Sequence, residues 1–230
     1  MVERQVFAFS GVLEGEADGF RSIEHAVALG RGPRVCHVPT ATGDDPAAVR
    51  RLRDAVADRL PDIELSVLTL FVQPSVPDVR AHLLSQDVIL VNGGSVVNLL
   101  AVWRAHGLPA ILRECWEAGI VLAGWSAGSV CWHLGGPTDS FRDALDPFAD
   151  GLGFLPYSNG VHDDFSGQPR RRAYREMVAS GALPPGYASE DGVGLHYVGT
   201  ELREATTVRP GATAWWVDRT GDRRIPARVL

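Results

Sequence analysis

The chain has 230 residues, 45% hydrophobic and 22% charged, the proportions of an ordinary folded domain rather than a disordered chain. Its formal net charge of -6 argues against nucleic acid as the main partner, because neutralising phosphates takes a dense cationic face. All 22 basic residues are arginines, which excludes Schiff-base chemistry and the lysine of a phosphate-binding loop.

In chain order, short apolar runs alternate with longer amphipathic spacers. "QVFAFSG", "RVCHVPTATG", "ELSVLTLF", "DVILVNGG" and "IVLAGWSAG" read as buried strands. "GFRSIEHAVAL", "DPAAVRRLRDAVADRL", "SVPDVRAHLLS" and "SVVNLLAVWRAHGLPAILRECWEAG" carry apolar residues at helical spacing. Continuous apolar strands joined by helices predict an α/β fold, a mainly parallel sheet flanked by helices on both faces. Such folds place their chemistry beyond the carboxyl ends of the strands, so "PTATG", "NGGS" and "GWSAG" are expected along one edge. Residues 134–160, rich in Gly, Pro and Asp, predict a long loop and then a short strand. "RRRAYREMVASG" reads as a helix stopped by glycine, and "GVGLHYVGTEL", "EATTVRPG" and "TAWWVDRTGDRRIPARVL" as antiparallel strands of a β-rich C-terminal portion. No repeat or linker divides the chain, and residues 1–230 are read as one domain.

Cys36, Cys115 and Cys131 show no C-x-x-C spacing, so neither a disulfide framework nor a structural zinc site is expected. That usage fits a reducing cytoplasm. The start "MVERQVFAFSG" lacks the apolar stretch of a signal peptide, no segment approaches the ~18 apolar residues of a membrane span, and the mature chain is expected to begin where this one does.

"GWSAGS", residues 124–129, follows an apolar strand and precedes a helix. In that setting G-x-S-x-G makes a tight turn that lifts the Ser126 hydroxyl off the sheet and points the amide of Ala127 to where an oxyanion would form. A serine nucleophile needs a base. His25, His82 and His106 fall in helical spacers, His37 lies inside an apolar strand, and His133 is two helical turns past the serine, ~10 Å along the axis. His196 alternates with apolar neighbours as a strand residue does. His162, in "YSNGVHDDF", sits at the end of a short strand and is the candidate base. The orienting carboxylate is sought in "YASEDGVGL", where Asp191 is preferred and Glu190 stays open. The arginines at 170–172 stand at a helix start, where the dipole disfavours cations, so Arg170 or Arg171 is a candidate to hold a substrate carboxylate.

The order nucleophile, histidine, acid resembles the class I glutamine amidotransferase-like group, with serine in place of its cysteine. Within that group the chain resembles peptidase E, the aspartyl dipeptidase family, and more distantly cyanophycinase. The resemblance spans nearly the whole chain through "VNGGSVVNLL", "GWSAGS", "YSNGVHDDF", "GQPRRRAYREM" and "EDGVGL". It implies a flavodoxin-like α/β fold and a serine peptidase for short peptides, with N-terminal aspartate as the favoured first residue. By the resemblance Ser126 is the nucleophile, His162 the base and then acid, and Asp191 the orienting carboxylate. Gly94 joins Ala127 in the oxyanion hole, an arginine at 170 or 171 contacts substrate, and Asp139 meets its free amino group. The family usually has glutamate where Asp191 stands. No cofactor or metal is implied, the partner is a small peptide with no nucleic acid or membrane, and a homodimer is compatible. Two other readings are an α/β-hydrolase-type esterase built on Ser126 and His196 with an acid such as Asp150, and a non-catalytic member that binds a small molecule.

Overall fold

The computed structural model describes residues 2–11 and 20–230. The apolar runs form β1 (Gln5–Phe9), β2 (Arg34–Val38), β3 (Glu64–Val67), β4 (Val88–Val91) and β5 (Val121–Trp125). The spacers form α1 (Arg21–Ala28), α2 (Pro46–Arg59), α3 (Val79–Leu84), α4 (Val96–Ala105) and α5 (Leu108–Glu117). The first residue of the α1 spacer, Gly19, lies outside the described residues. After β5 come the short α6 (Ala127–Val130), β6 (Gly136–Thr138), β7 (Asp146–Phe148), β8 (Ser158–Gly160) and α7 (Arg170–Ser180). The chain closes through β9 (Gly186–Ser189), β10 (Val193–Val198), β11 (Glu201–Thr207), β12 (Ala214–Asp218), β13 (Gly221–Ile225) and β14 (Ala227–Val229).

An eight-stranded sheet runs in the order β14-β11-β10-β1-β5-β4-β2-β3. From β1 to β3 it is parallel, and β10 and β11 extend it antiparallel. Consecutive side chains of a strand point to opposite faces, so strands covered on both sides have to be apolar throughout, and every residue of β4 is buried. β1 shows the division. Val6 and Ala8 join a core with Leu99, Trp103, Leu112 and Trp116 of α4 and α5, while Phe7 and Phe9 join one with Ile23 and Ala26 of α1 and Leu52 and Val56 of α2. Among the described residues no helix is long and apolar enough to cross a membrane.

Local chemistry sets the helix ends. Asp45 caps α2 by accepting from the amides of Ala47 and Ala48, with Pro46 in the first turn, and Ser95 caps α4 by accepting from the amide of Asn98. The spacer 95–119 is two helices rather than one. Gly107 at φ 69° breaks it in the left-handed region, and Pro109 stands in the first turn of the second helix. Residues 134–160 are also more ordered than their composition suggests: β6 and β7 pair antiparallel before β8 joins a second sheet, β13-β12-β9-β8. α7 covers that sheet with Tyr174 and Val178 against Ala188 and Val217.

The carboxyl ends of β1, β2, β4 and β5 converge as a parallel sheet requires. Asn92 Nδ2 donates to Thr42 Oγ1 at 2.9 Å, and the Ser95 amide donates to Ala41 O at 2.9 Å. "PTATG" and "NGGS" therefore meet as expected. β5 and α6 press against them closely enough that a Cβ on Gly128 would lie 2.3 Å from Val91 O. Gly128→Ala is expected to destabilise the fold by about 1–3 kcal/mol, read from chemical denaturation, because the clash is with backbone that cannot rotate away.

Candidate active site

β5 ends at Trp125, α6 begins at Ala127, and Ser126 between them takes φ 53°, ψ -114°. A non-glycine residue held there stores on the order of 1–3 kcal/mol of strain. The surroundings hold it in place. Its amide donates to Phe9 O at 3.1 Å and Ser10 O at 3.0 Å, and its carbonyl accepts from the amides of Ser129 and Val130 at 2.9 Å each. Glycines at 124 and 128 are needed on either side, since a Cβ at either would meet backbone at 2.4 Å or less.

His162 follows β8, also at positive φ (57°), and its ring bridges two groups. Nε2 lies 2.9 Å from Ser126 Oγ and Nδ1 lies 2.5 Å from Asp191 Oδ1. With a proton on Nδ1 the ring donates to the carboxylate and leaves Nε2 to accept from the serine. Asp191 sits in the turn between β9 and β10, followed by Gly192 at φ 82°. Burial pushes the Asp191 pKa up, but the hydrogen bond and charge of His162, a contact from Ser10 and the charge of Arg209 outweigh it and hold the carboxyl below its ordinary value. Glu190 faces elsewhere. Its carboxylate accepts from Arg171 at 2.8 Å and from the Thr213 amide at 3.0 Å.

Ser10 was not singled out from the sequence, yet it ties the two partners together. Its Oγ accepts the His162 amide at 2.6 Å, and its hydrogen reaches Ser189 O at 3.1 Å or Asp191 Oδ1 at 3.3 Å. The only signal was a small polar residue closing "VFAFSG" at a strand's carboxyl end. Gly11 beside it leaves room, since a Cβ there would lie 2.8 Å from Asp191 Oδ1 and 3.1 Å from His162 Cε1.

A small cavity of about 20 Å³ opens on the other side of Ser126, lined by Gly94, Ala127, Thr138, Asp139 and Arg170. Gly94 has φ 140°, and a Cβ on it would fall 2.2 Å from Ala41 O. Arg170 is buried and pairs with Asp139 at 2.7 Å, while its Nε has no partner among the described residues. Burial pulls the Arg170 pKa down, against the charges of Asp139 and Asp191. Arg171 points away from this cavity, to Asp163 at 2.9 Å and Glu190 at 2.8 Å.

Four of the other histidines, His82, His106, His133 and His196, are bonded elsewhere or exposed. His133 contacts Ser129 O at 2.9 Å and Tyr197 Oη at 3.3 Å, His82 contacts Ser66, and His106 is exposed. His196 meets Gln5 Oε1 at 2.9 Å and Asp150 pairs with Arg104 at 2.8 Å, so the residues of the esterase reading do not assemble around Ser126. Asp163 and Asp164 are bound to arginines, and no cluster of three or more His, Cys, Asp or Glu that could hold a metal occurs among the described residues.

Residues 10–205 match the profile of peptidase family S51. The chain belongs to this family. Like its family, it is a serine-type peptidase. This S51 peptidase is 40% identical over 185 residues to the uncharacterized peptidase YgaJ of Bacillus subtilis (strain 168), covering 80% of this chain and 78% of that one. It is 28% identical over 155 residues to peptidase E of Shewanella denitrificans, covering 64% and 65%. Its fold is shared with a peptidase from an acI-B1 actinobacterium (TM-score 0.71, 19% identity, 98% and 95% covered). A putative peptidase E from Listeria monocytogenes EGD-e also has it (TM-score 0.65, 17% identity, 90% and 100% covered).

Two outcomes follow for this S51 site. Ser10→Ala leaves the His162 amide without its acceptor, so stability should fall by about 1–3 kcal/mol, and steady-state kinetics should show kcat reduced with KM little changed. The folded-state pKa of Asp191 is below its ordinary 3.8, so its stabilisation is complete above that value and is lost as pH falls through the lower folded one. The stability gap between wild type and Asp191→Asn, measured by urea denaturation, should therefore narrow from pH 6 to pH 3.

Proposed function

We propose that this peptidase hydrolyses dipeptides or short oligopeptides through a Ser126–His162–Asp191 triad and an acyl-enzyme. The observation that carries the reading is the line of contacts from Ser126 Oγ to His162 Nε2 at 2.9 Å and from Nδ1 to Asp191 at 2.5 Å. His162 Nε2 takes the hydroxyl proton as Ser126 Oγ bonds to the scissile carbonyl carbon. The amides of Gly94 and Ala127 receive the oxyanion. When the C–N bond breaks, the imidazolium gives its proton to the leaving amine. Water then attacks the ester with His162 again as base, releasing the acid and restoring the serine. Asp191 keeps the ring oriented and stabilises its cationic form.

The small cavity, about 20 Å³, has room for about one water molecule, so its charged lining rather than its volume points to the residue that becomes the acyl group. Asp139 and Arg170 both line it, so a free α-amino group can meet the carboxylate while an acidic side chain meets the guanidinium, whose Nε is unpartnered. That complementarity supports N-terminal aspartate as the preferred first residue.

Ser126→Ala should lower hydrolysis of a susceptible peptide by several orders of magnitude, on the order of 10⁴–10⁶-fold, with the circular dichroism spectrum unchanged. A fluorophosphonate should label the wild type at Ser126 and fail with His162→Ala. Arg170→Met should reduce kcat/KM for aspartyl peptides about tenfold more than for alanyl peptides. Retained turnover in Ser126→Ala would overturn the mechanism.

A further inference from the structure

A second and much larger cavity, about 630 Å³, opens at Ser126 on the side of His162. It lies between α1 and α2, above the carboxyl ends of β2 and β4. Its walls include Phe20, Ile23, Ala48, Leu52, Ala55 and Trp125. The spacing of Ala48, Leu52 and Ala55 puts them on one face of α2, so the helix turns an apolar stripe toward this space.

Besides Ser126 and His162, three polar side chains interrupt that apolar lining, Asn92, His37 and Arg51. His37 is 1% exposed, lies against Trp125 with rings 14° from parallel, and lines the cavity with neither ring nitrogen bonded among the described residues. Burial pulls its pKa down to about 4, so at neutral pH the ring is uncharged and adds no cation to the wall. Arg51 also lines the cavity, exposed to solvent and without an ion pair among the described residues.

His162 decides which part of a substrate belongs here. It lines the large cavity and not the small one, and in acyl transfer the histidine hands its proton to the leaving amine. The leaving group therefore departs on this side. We propose that the cavity is the leaving-residue site, taking a large, preferably aromatic side chain on the C-terminal side of the scissile bond, with Arg51 pairing to the free carboxylate of a dipeptide. The inference rests on the peptidase mechanism above and adds the identity of the second residue. Phe20 and Trp125, both only partly buried, supply ring faces for an aromatic guest.

The test uses Asp-X and Ala-X dipeptides with X as Gly, Leu, Phe or Tyr, each with a free or an amidated C-terminus. In the wild type kcat/KM should rise about tenfold or more from Gly to Phe. Amidation should cost about tenfold, a loss that largely disappears in Arg51→Gln. Ala55→Trp, which fills the cavity, should lower kcat/KM for the Phe peptides more than for the Gly peptides. A profile flat in X, or one favouring Gly, would overturn the proposal. Calorimetry with Ser126→Ala and intact Asp-Phe or Asp-Gly separates the two claims. Equal affinity for both rejects the cavity assignment whatever the turnover. Tighter Asp-Phe binding without hydrolysis by the wild type upholds the cavity and rejects the mechanism alone.

Discussion

The site depends on one backbone crossing, where the amide of Ser126 donates to the carbonyls of Phe9 and Ser10 at the end of β1. β1 and β5 are parallel neighbours, so their carboxyl ends emerge together, and this bond docks the turn after β5 onto the residues that follow β1. The positive φ of Ser126 persists because the surrounding bonds and the glycines at 124 and 128 leave the chain no relaxed alternative. The same stretch of β1 then supplies Ser10, whose hydroxyl holds the His162 backbone, and Gly11, whose missing side chain leaves room for the histidine and aspartate. Ser126, His162 and Asp191 are thus all referenced to one strand end at the centre of the sheet.

Arginine holds the loops that carry the other two residues. Asp163, next to His162, is buried and receives Arg171 and Arg175 at 2.9 Å each. Asp164 pairs with Arg209 and accepts the Asp191 amide at 2.8 Å. A buried carboxylate is tolerable only when it is paired, and the planar guanidinium bridges two acids in a way that a lysine ammonium does not. The arginine at position 171 therefore ties Asp163 to Glu190, the residue beside Asp191. Its work is in fixing the loops, whereas Arg170 alone of this pair lines the cavity at the serine.

The two cavities give the site a direction. On one side of Ser126 is a small polar space with Gly94, Ala127 and an aspartate–arginine pair, and on the other a broad apolar one shared with His162. The elements either side of Ser126 account for the contrast. α2 approaches with small residues, Ala48 and Ala55, whose short side chains leave space above the strand ends, whereas β6 and α7 close tightly over the opposite edge with Pro137, Asp139 and Arg170.

Much of the α/β framework was legible in the sequence because a strand buried on both faces must be apolar at every position and a covering helix must be apolar on one stripe, as "VILV" and α1 both show. Ser126 was legible for a local reason too, since glycines two residues either side of a serine after a strand describe a backbone geometry. Sequence could not separate Asp191 from Glu190, because which of two adjacent carboxylates faces the ring depends on Arg171 and the Thr213 amide drawing Glu190 away. It could not separate Arg170 from Arg171, since neighbours on a helix point about 100° apart and only the packing of α7 decides which one turns inward. Ser10, and the idle His37 on the wall of the large cavity, were invisible for the same cause. The chain by itself determined the periodic pattern and the strained turn, which are set by residues near one another in sequence. The tertiary structure alone decided which polar groups face one another, because contacts between residues 19 apart in sequence (Arg171 and Glu190) to 181 apart (Ser10 and Asp191) depend on how the strand ends are brought together.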